Sequence, residues 1–162
     1  MYFGGTTERK LKWCFKIKDG AKFVRPSKPI SDSYITLAKN SLKRAEFMLK
    51  EKDFLWATVL TYYAEYYAIS SFLARIGIKC ENHFCSILIS KFLLGEEKVS
   101  KIEDHRGMRI DAQYYLKISN EKKIKDMLLH AKIFVSEIEE ILSSLNEEKI
   151  SSFQNKIKEF LK

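Results

Sequence analysis

After residue 29 the chain has no proline and only three glycines, so little in its sequence interrupts regular backbone structure. Beyond that point, apolar residues recur at three- and four-residue spacing, which is the period of an amphipathic helix. A β-sandwich or barrel is excluded, because its many turns need glycine and proline. The 162 residues therefore predict an all-α protein, an antiparallel up-and-down bundle of five to six helices.

Residues that favour helix N-caps precede the periodic segments. They are Ser31, Asp32 or Ser33 for the first helix, Asp53 for the second, Asn82 for the third, and residues 119–121 for the longest amphipathic run. The second helix is expected to end at Gly77 and the third at Gly95. Residues 95–107 are predicted to be irregular, and a short helix over about 108–118 follows. The second helix is apolar on nearly all sides, which is typical of a central helix.

The formal charge of +8 is unevenly distributed along the chain. Residues 1–30 carry eight basic and two acidic side chains, a net +6, which leaves +2 for residues 31–162. The sequence therefore predicts a basic N-terminal arm over residues 1–30 and a helical bundle over residues 31–162. The arm residues that could contact RNA are Lys10, Lys12, Lys16, Lys18, Lys22 and Arg25.

Within the arm, apolar and other residues alternate over 11–18, which predicts a strand. Asp19-Gly20 is a turn pair, and residues 21–24 could return as a second strand of a short β-hairpin. Two interpretations of its lysines remain open. They could bind RNA, or they could guard an exposed strand edge against pairing.

The three cysteines are odd in number and include no Cys-x2-Cys pair. The sequence therefore predicts neither a disulfide framework nor a zinc site, and no metal centre is expected. The N-terminus lacks the apolar segment of a secretory signal. Residues 54–76 are apolar but contain Glu65 and Arg75, which favours a core helix over a membrane span. A cytoplasmic protein without membrane contact is expected.

No phosphate-binding glycine loop, nucleophile elbow or His-x3-His zinc pair occurs in the sequence. Three segments carry a resemblance instead: ATVLTYYAEYYA at 57–68, ARIGIK at 74–79 with His83 after it, and RIDAQY at 109–114. Together they resemble the HEPN domain family, over about residues 34–145.

That resemblance implies a helical bundle that usually dimerises. It also implies a frequent partnership with a minimal nucleotidyltransferase in toxin–antitoxin pairs. Active members are metal-independent ribonucleases with an Arg-x4–6-His motif. This chain departs from the motif, since Arg109 is followed at that spacing by Tyr114. A tyrosine with a pKa near 10 is a poor general acid or base at neutral pH.

The residues that could contact a nucleotide or RNA are Lys79, His83, Arg106, Arg109 and Tyr114. Two structural alternatives stay open. Arg109 could form an ion pair with Glu65, and backbone groups at a helix start could satisfy His83. No cofactor is expected other than a nucleotide as a ligand.

Three functions follow from these observations. The first is a dimeric interaction and nucleotide-binding module that partners a nucleotidyltransferase, with Tyr114 or Tyr115 as the residue that the partner modifies. The second is a ribonuclease with an atypical set of Arg109, Tyr114 and His83. The third is an RNA-binding module that acts through the basic arm. The missing histidine favours the first function over the second.

Overall fold

The computed structural model describes residues 6–162, so the first five residues of the predicted arm lie outside the described residues. The elements are α1 (Thr7–Cys14), β1 (Ala21–Phe23), α2 (Lys28–Lys50), α3 (Phe54–Ile76), β2 (Ile78–Cys80), α4 (His83–Leu94), α5 (Glu96–Tyr115), α6 (Glu121–Ser144) and α7 (Glu147–Leu161). The predicted all-α bundle is confirmed. In the described part of the chain it has seven helices and one pair of three-residue strands.

Helix α3 lies at the centre of the bundle and contacts α2, α4, α5, α6 and α7. It begins at Asp53, whose side chain accepts a hydrogen bond from the Trp56 backbone N–H, and it ends at Gly77 in the left-handed region with φ 80°. Both ends agree with the prediction. Because α3 is apolar on nearly all sides, the other helices can cover it from several directions, and Tyr62 and Phe72 are fully buried.

Two of the asparagine-capped helices, α4 and α6, also begin where the sequence predicts. The Asn82 side chain caps α4 through the Cys85 N–H, and Asn120 caps α6 through the Lys123 N–H. Helix α2 differs slightly, because Ser27 rather than a residue at 31–33 provides its cap. Pro29 lies in its first turn, where a missing N–H costs nothing.

The strand predicted over residues 11–18 is wrong. Residues up to Cys14 form helix α1, which is capped by the Thr6 side chain and buries Leu11 and Cys14 on one face. Leu11 and Cys14 are three residues apart, so they lie on the same face of a helix. The rest of the alternating pattern, residues 15–18, lies in the turn that follows α1.

The predicted hairpin within the arm is also wrong, although a strand does form at its second half. Strand β1 pairs with β2 in an antiparallel arrangement, with Ala21 opposite Cys80 and Phe23 opposite Ile78. The partner strand directly follows α3, so the arm is joined to the bundle through backbone hydrogen bonds.

Residues 96–107 were expected to be irregular, but they are the first half of α5. The helix continues through Gly107 because Val99, Ile102 and Arg109 keep one face buried across it. Helix packing here outweighs the weak helix propensity of one glycine.

A disulfide joins Cys14 of α1 to Cys85 of α4, a bond that the cysteine pattern, which argues only against a disulfide framework, did not predict. An odd number of cysteines argues against a complete framework but leaves room for one pair, and Cys80 is the free thiol.

Among residues 6–162, every helix is too short or too polar to span a bilayer.

Candidate anion-binding site

His83, at the start of α4, lies against the tyrosines of the central helix. Its Nδ1 shares a hydrogen bond of 2.8 Å with the hydroxyl of Tyr62. Its ring stacks on Tyr66, with the ring centroids 3.8 Å apart and an interplanar angle of 5°. The cap at Asn82 fixes the first turn of α4 and so helps to fix this ring. One interpretation of the sequence was that backbone groups at the helix start satisfy the hydrogen-bonding groups of His83. In the structure a side chain, the hydroxyl of Tyr62, bonds to its Nδ1.

Arg109 of α5 approaches the same tyrosines. Its guanidinium carbon is 5.0 Å from the centroid of the Tyr62 ring and 5.7 Å from that of Tyr63, which is cation–π geometry. The side chain donates one hydrogen bond, to Gln113 Oε1 at 3.3 Å. Only 7% of Arg109 is exposed. The guanidinium is thus largely removed from water and rests on aromatic faces.

The two arginines of α5 have unused donors. The Nε atoms of Arg106 and Arg109 are buried, and neither has a hydrogen-bond partner among residues 6–162. No carboxylate in that part of the chain lies within ion-pair distance of either side chain. Burial of an unpaired guanidinium is costly. The pair of arginines is therefore suited to a bound anion, for which the fork of N–H donors matches a phosphate.

The arginines also affect the ionisation of their neighbours. Burial, followed by the positive charges of Arg109 and Arg106, lowers the pKa of His83 to about 4. Burial raises the pKa of Tyr62 well above its usual value, and Arg109 offsets part of that rise. At neutral pH the cluster therefore holds an uncharged imidazole and an uncharged phenol beside two positive charges.

A cavity of about 620 Å³ adjoins the other side of Tyr66. Tyr34 and Tyr67 stack in its wall with ring centroids 6.2 Å apart, and Arg25 and Lys79 lie along its lining. This volume is within the range of small-molecule sites, and aromatic walls suit a planar base. Tyr66 belongs both to the cavity wall and to the His83 stack, so one side chain borders both the cavity and the cluster around His83.

The structure brings together some of the predicted site residues and separates others. His83 and Arg109 both contact Tyr62, and the positive charge of Arg106, three residues before Arg109 on α5, acts on Tyr62 and His83. Lys79 lies on β2 in the cavity lining, outside the cluster around Tyr62, and it pairs with Glu81 at 3.1 Å.

Tyr114 and Tyr115 lie near the end of α5 and are 67% and 66% exposed. No contact among the described residues joins either to the arginine cluster. The ribonuclease set of Arg109, Tyr114 and His83 is therefore not assembled within one chain.

The predicted residues of the arm are spread over several elements. Lys12 pairs with Glu8 within α1, at 3.5 Å. Arg25 lines the tyrosine cavity. The remaining predicted basic residues belong to α1, to the turn after it and to β1: Lys10, Lys16, Lys18 and Lys22.

The ion pair proposed between Arg109 and Glu65 is wrong, because Glu65 has other partners. His105 Nδ1 lies 2.8 Å and 3.0 Å from its two carboxylate oxygens, and His130 Nδ1 lies 2.9 Å from one of them. Sequence reasoning identified Glu65 as a buried charge that needs a partner but missed both histidines. They are 40 and 65 residues away in the chain, and no spacing pattern links them.

The comparisons with known proteins agree with the helical architecture. A family model described as the HEPN domain matches residues 31–152, about three quarters of the chain. No curated protein and no solved structure matches this chain. On the extent of the family match, the chain belongs to the HEPN domain family.

Proposed function

We propose that the protein binds a phosphate-bearing ligand, a nucleotide or single-stranded RNA, with the phosphate at Arg106 and Arg109. One observation carries the proposal. Two arginines three residues apart on α5 have buried, unused Nε donors and no carboxylate to neutralise them within residues 6–162. An anion would supply the missing hydrogen bonds and the missing negative charge.

The base of such a ligand fits the tyrosine cavity. Tyr34, Tyr66 and Tyr67 offer ring faces, and base–aromatic stacking stabilises nucleotides without selecting a sequence. Tyr66 is shared by the cavity and the His83 stack, so one ligand could occupy both regions. Of the two ligands a nucleotide is favoured, because its one base and its phosphate match one aromatic cavity and one pair of arginines.

Ligand binding is favoured over RNA cleavage because His83 is unprotonated at neutral pH. RNA hydrolysis by general acid–base catalysis needs a group that can donate a proton near neutral pH. With a pKa of about 4, the imidazole of His83 is almost entirely unprotonated at pH 7. Tyr62, with its raised pKa, is a weak acid. Ribonuclease activity is therefore the less favoured function.

Ligand binding can be tested with fluorescently labelled AMP, ATP and a short single-stranded RNA, measured by anisotropy. Arg109→Ala is expected to weaken binding about 10- to 100-fold, which corresponds to one lost charge-assisted contact. Arg109→Lys, which keeps the charge but loses the planar fork, should recover part of the affinity. Arg44→Ala is the matched control, because Arg44 is an exposed arginine on α2.

Two results would contradict the proposal. One is equal affinity for wild type and Arg109→Ala. The other is an RNA affinity lost on charge reversal of Lys16 and Lys18 in the arm but retained in Arg109→Ala, which would assign binding to the arm. RNA cleaved in the presence of EDTA, with cleavage lost in Arg109→Ala, would instead establish the ribonuclease alternative.

We also propose that the protein acts as a homodimer that pairs with a minimal nucleotidyltransferase. An exposed apolar run at the end of α5 supports a protein-binding surface: Tyr114, Tyr115 and Leu116 are 67%, 66% and 73% exposed. The same exposure leaves either tyrosine hydroxyl open to a modifying enzyme.

This partnership has two separate tests. Light scattering on the purified protein should give twice the chain mass, and Leu116→Asp should reduce it to one chain mass. Incubation with the nucleotidyltransferase from the native host and ATP should add nucleotide mass to Tyr114 or Tyr115. A protein that stays monomeric and unmodified in both experiments would contradict the proposal.

A further inference from the structure

Three helices of the bundle each place one side chain of a metal-binding type, a carboxylate or an imidazole, around the same point. Glu65 comes from α3, His105 from α5 and His130 from α6. Each offers one donor atom, and all three donor atoms lie within 4.8 Å of one another. Two imidazoles and one carboxylate on facing helices are a common way for a helical bundle to hold a metal ion.

The geometry is close to that of a bound ion. The imidazole rings of His105 and His130 lie at 79° to each other, with centroids 5.1 Å apart, and both Nδ1 atoms face the carboxylate of Glu65. Tetrahedral zinc ligands at their usual bond lengths lie about 3.3 Å apart. The observed separations of 2.8–3.0 Å between carboxylate oxygens and nitrogens would need to widen by only about 0.5 Å.

Burial and charge also fit a divalent cation. The carboxylate of Glu65 is wholly buried, and its hydrogen-bond partners are the two histidines. The side chain of His105 is 10% exposed and that of His130 is 20% exposed, so the cluster has a narrow opening to water. An ion could enter from that side, and water could take a fourth coordination position there.

We propose that Glu65, His105 and His130 form a binding site for a divalent transition-metal ion of the zinc type. The ion binds the two Nδ1 atoms while each neutral imidazole carries its one proton on Nε2, and it links α3, α5 and α6. His105 precedes Arg109 by one turn of α5, so an ion at this point also fixes the helix that carries both arginines. The site is separate from the phosphate proposal, and each can fail alone.

Metal binding can be measured on the full, untagged chain, with Cys80→Ser as the background to remove the free thiol as a competing ligand. After chelator treatment, the protein is titrated with Co²⁺ and then Zn²⁺. We expect one ion per chain, with a visible absorption band typical of tetrahedral Co²⁺ that Zn²⁺ abolishes. At 100-fold excess of Zn²⁺ over its Kd, the Tm should rise by roughly 5–10 °C.

Variants identify the ligands. His130→Ala should abolish both the absorption band and the rise in Tm. We choose this variant because His130 is partly exposed, so its replacement destabilises the fold less than Glu65→Gln, at a wholly buried position. Glu140→Ala is the control on the same helix as His130, because Glu140 is exposed and lies outside the triad, and it should keep the one-to-one stoichiometry. The proposal is overturned if wild type shows no stoichiometric binding, or if a folded His130→Ala protein binds as wild type does.

Discussion

At the scale of single residues, His83 is defined by what surrounds its ring. The Tyr62 hydroxyl shares a hydrogen bond with Nδ1 of His83, and the Tyr66 ring stacks on one face of the imidazole. The positive charges of Arg109 and Arg106 also act on the ring. Each of these contacts is available to an uncharged imidazole, whereas the imidazolium would be repelled by the guanidinium groups. The position therefore favours a histidine that is neutral at pH 7.

This neutrality predicts a pH-dependent stability. In the unfolded chain His83 has an ordinary pKa near 6.5, but in the folded protein its pKa is about 4. Between these values the unfolded state binds more protons, so stability falls as pH drops from 6.5 towards 4. After a discount for partial exposure, we expect a loss of about 1–2 kcal/mol in the free energy of unfolding.

Urea denaturation at pH 7 and pH 4.5 measures this loss. The comparison is with His83→Gln, whose free energy of unfolding should fall less over the same interval because glutamine does not titrate. Identical pH dependence in the two proteins would show that His83 does not contribute.

The sequence could identify several residues of the site but not their arrangement. The family resemblance named His83 and Arg109, and composition alone suggested that a buried Glu65 needs a partner. The contact between His83 and Tyr62 depends on how α4 packs against α3. Residue spacing along one sequence does not reveal how two helices pack. For the same reason, the approach of His105 and His130 to Glu65 could not be predicted.

At the scale of elements, glycine has opposite roles at two helix positions. Gly77 ends α3 with φ 80°, and an added Cβ would lie 2.5 Å from the Val24 carbonyl oxygen. Gly107 lies within α5, and a Cβ there would meet nothing within 4 Å. One glycine is therefore required by the backbone, while the other only weakens a helix.

Alanine substitutions should consequently move stability in opposite directions. Gly77→Ala is expected to lower the free energy of unfolding by about 1–3 kcal/mol through backbone strain and the close contact. Gly107→Ala is expected to raise it by about 0.5–1 kcal/mol because alanine is the better helix former. Thermal and urea denaturation of both variants measures the changes. A stabilising Gly77→Ala would contradict the described turn.

Element boundaries were predictable where a capping side chain and an apolar face agree, as at Asp53, Asn82 and Asn120. They were not predictable where short-range patterns compete. Residues 11–18 alternate as a strand does, yet tertiary packing of Leu11 and Cys14 selects a helix. In α5, Gly107 suggested a break that burial of the flanking residues overrides.

At the scale of the whole molecule, residues 6–30 are attached to the bundle by covalent and hydrogen bonds. The disulfide between Cys14 and Cys85 closes a long loop, with a sequence separation of 71 residues. Strand β1 pairs with β2, and the Ser27 N–H donates to the Ala74 carbonyl at 3.0 Å. The basic segment thus contributes to the core through Leu11, Cys14 and Ala21.

Loss of the disulfide should destabilise the whole domain. For a loop of this length, the chain-entropy model predicts a decrease of about 4 kcal/mol in the free energy of unfolding. Urea denaturation of Cys14→Ala measures it, with Cys80→Ala as the control for removing a cysteine that is not cross-linked. Equal stability of Cys14→Ala and wild type would show that the bond makes no net contribution.

The long separation between the N-terminal segment and its partners also bears on how the chain folds during synthesis. Helix α1 and strand β1 leave the ribosome first, but the residues that they contact, Ile78 and Cys85, follow some sixty to seventy residues later. At about 5–20 residues per second, the segment waits several seconds with Leu11 and Cys14 uncovered. Cys14 cannot pair with Cys85 during that interval, so the disulfide forms only after the whole of helix α3 and the start of α4 have been synthesised.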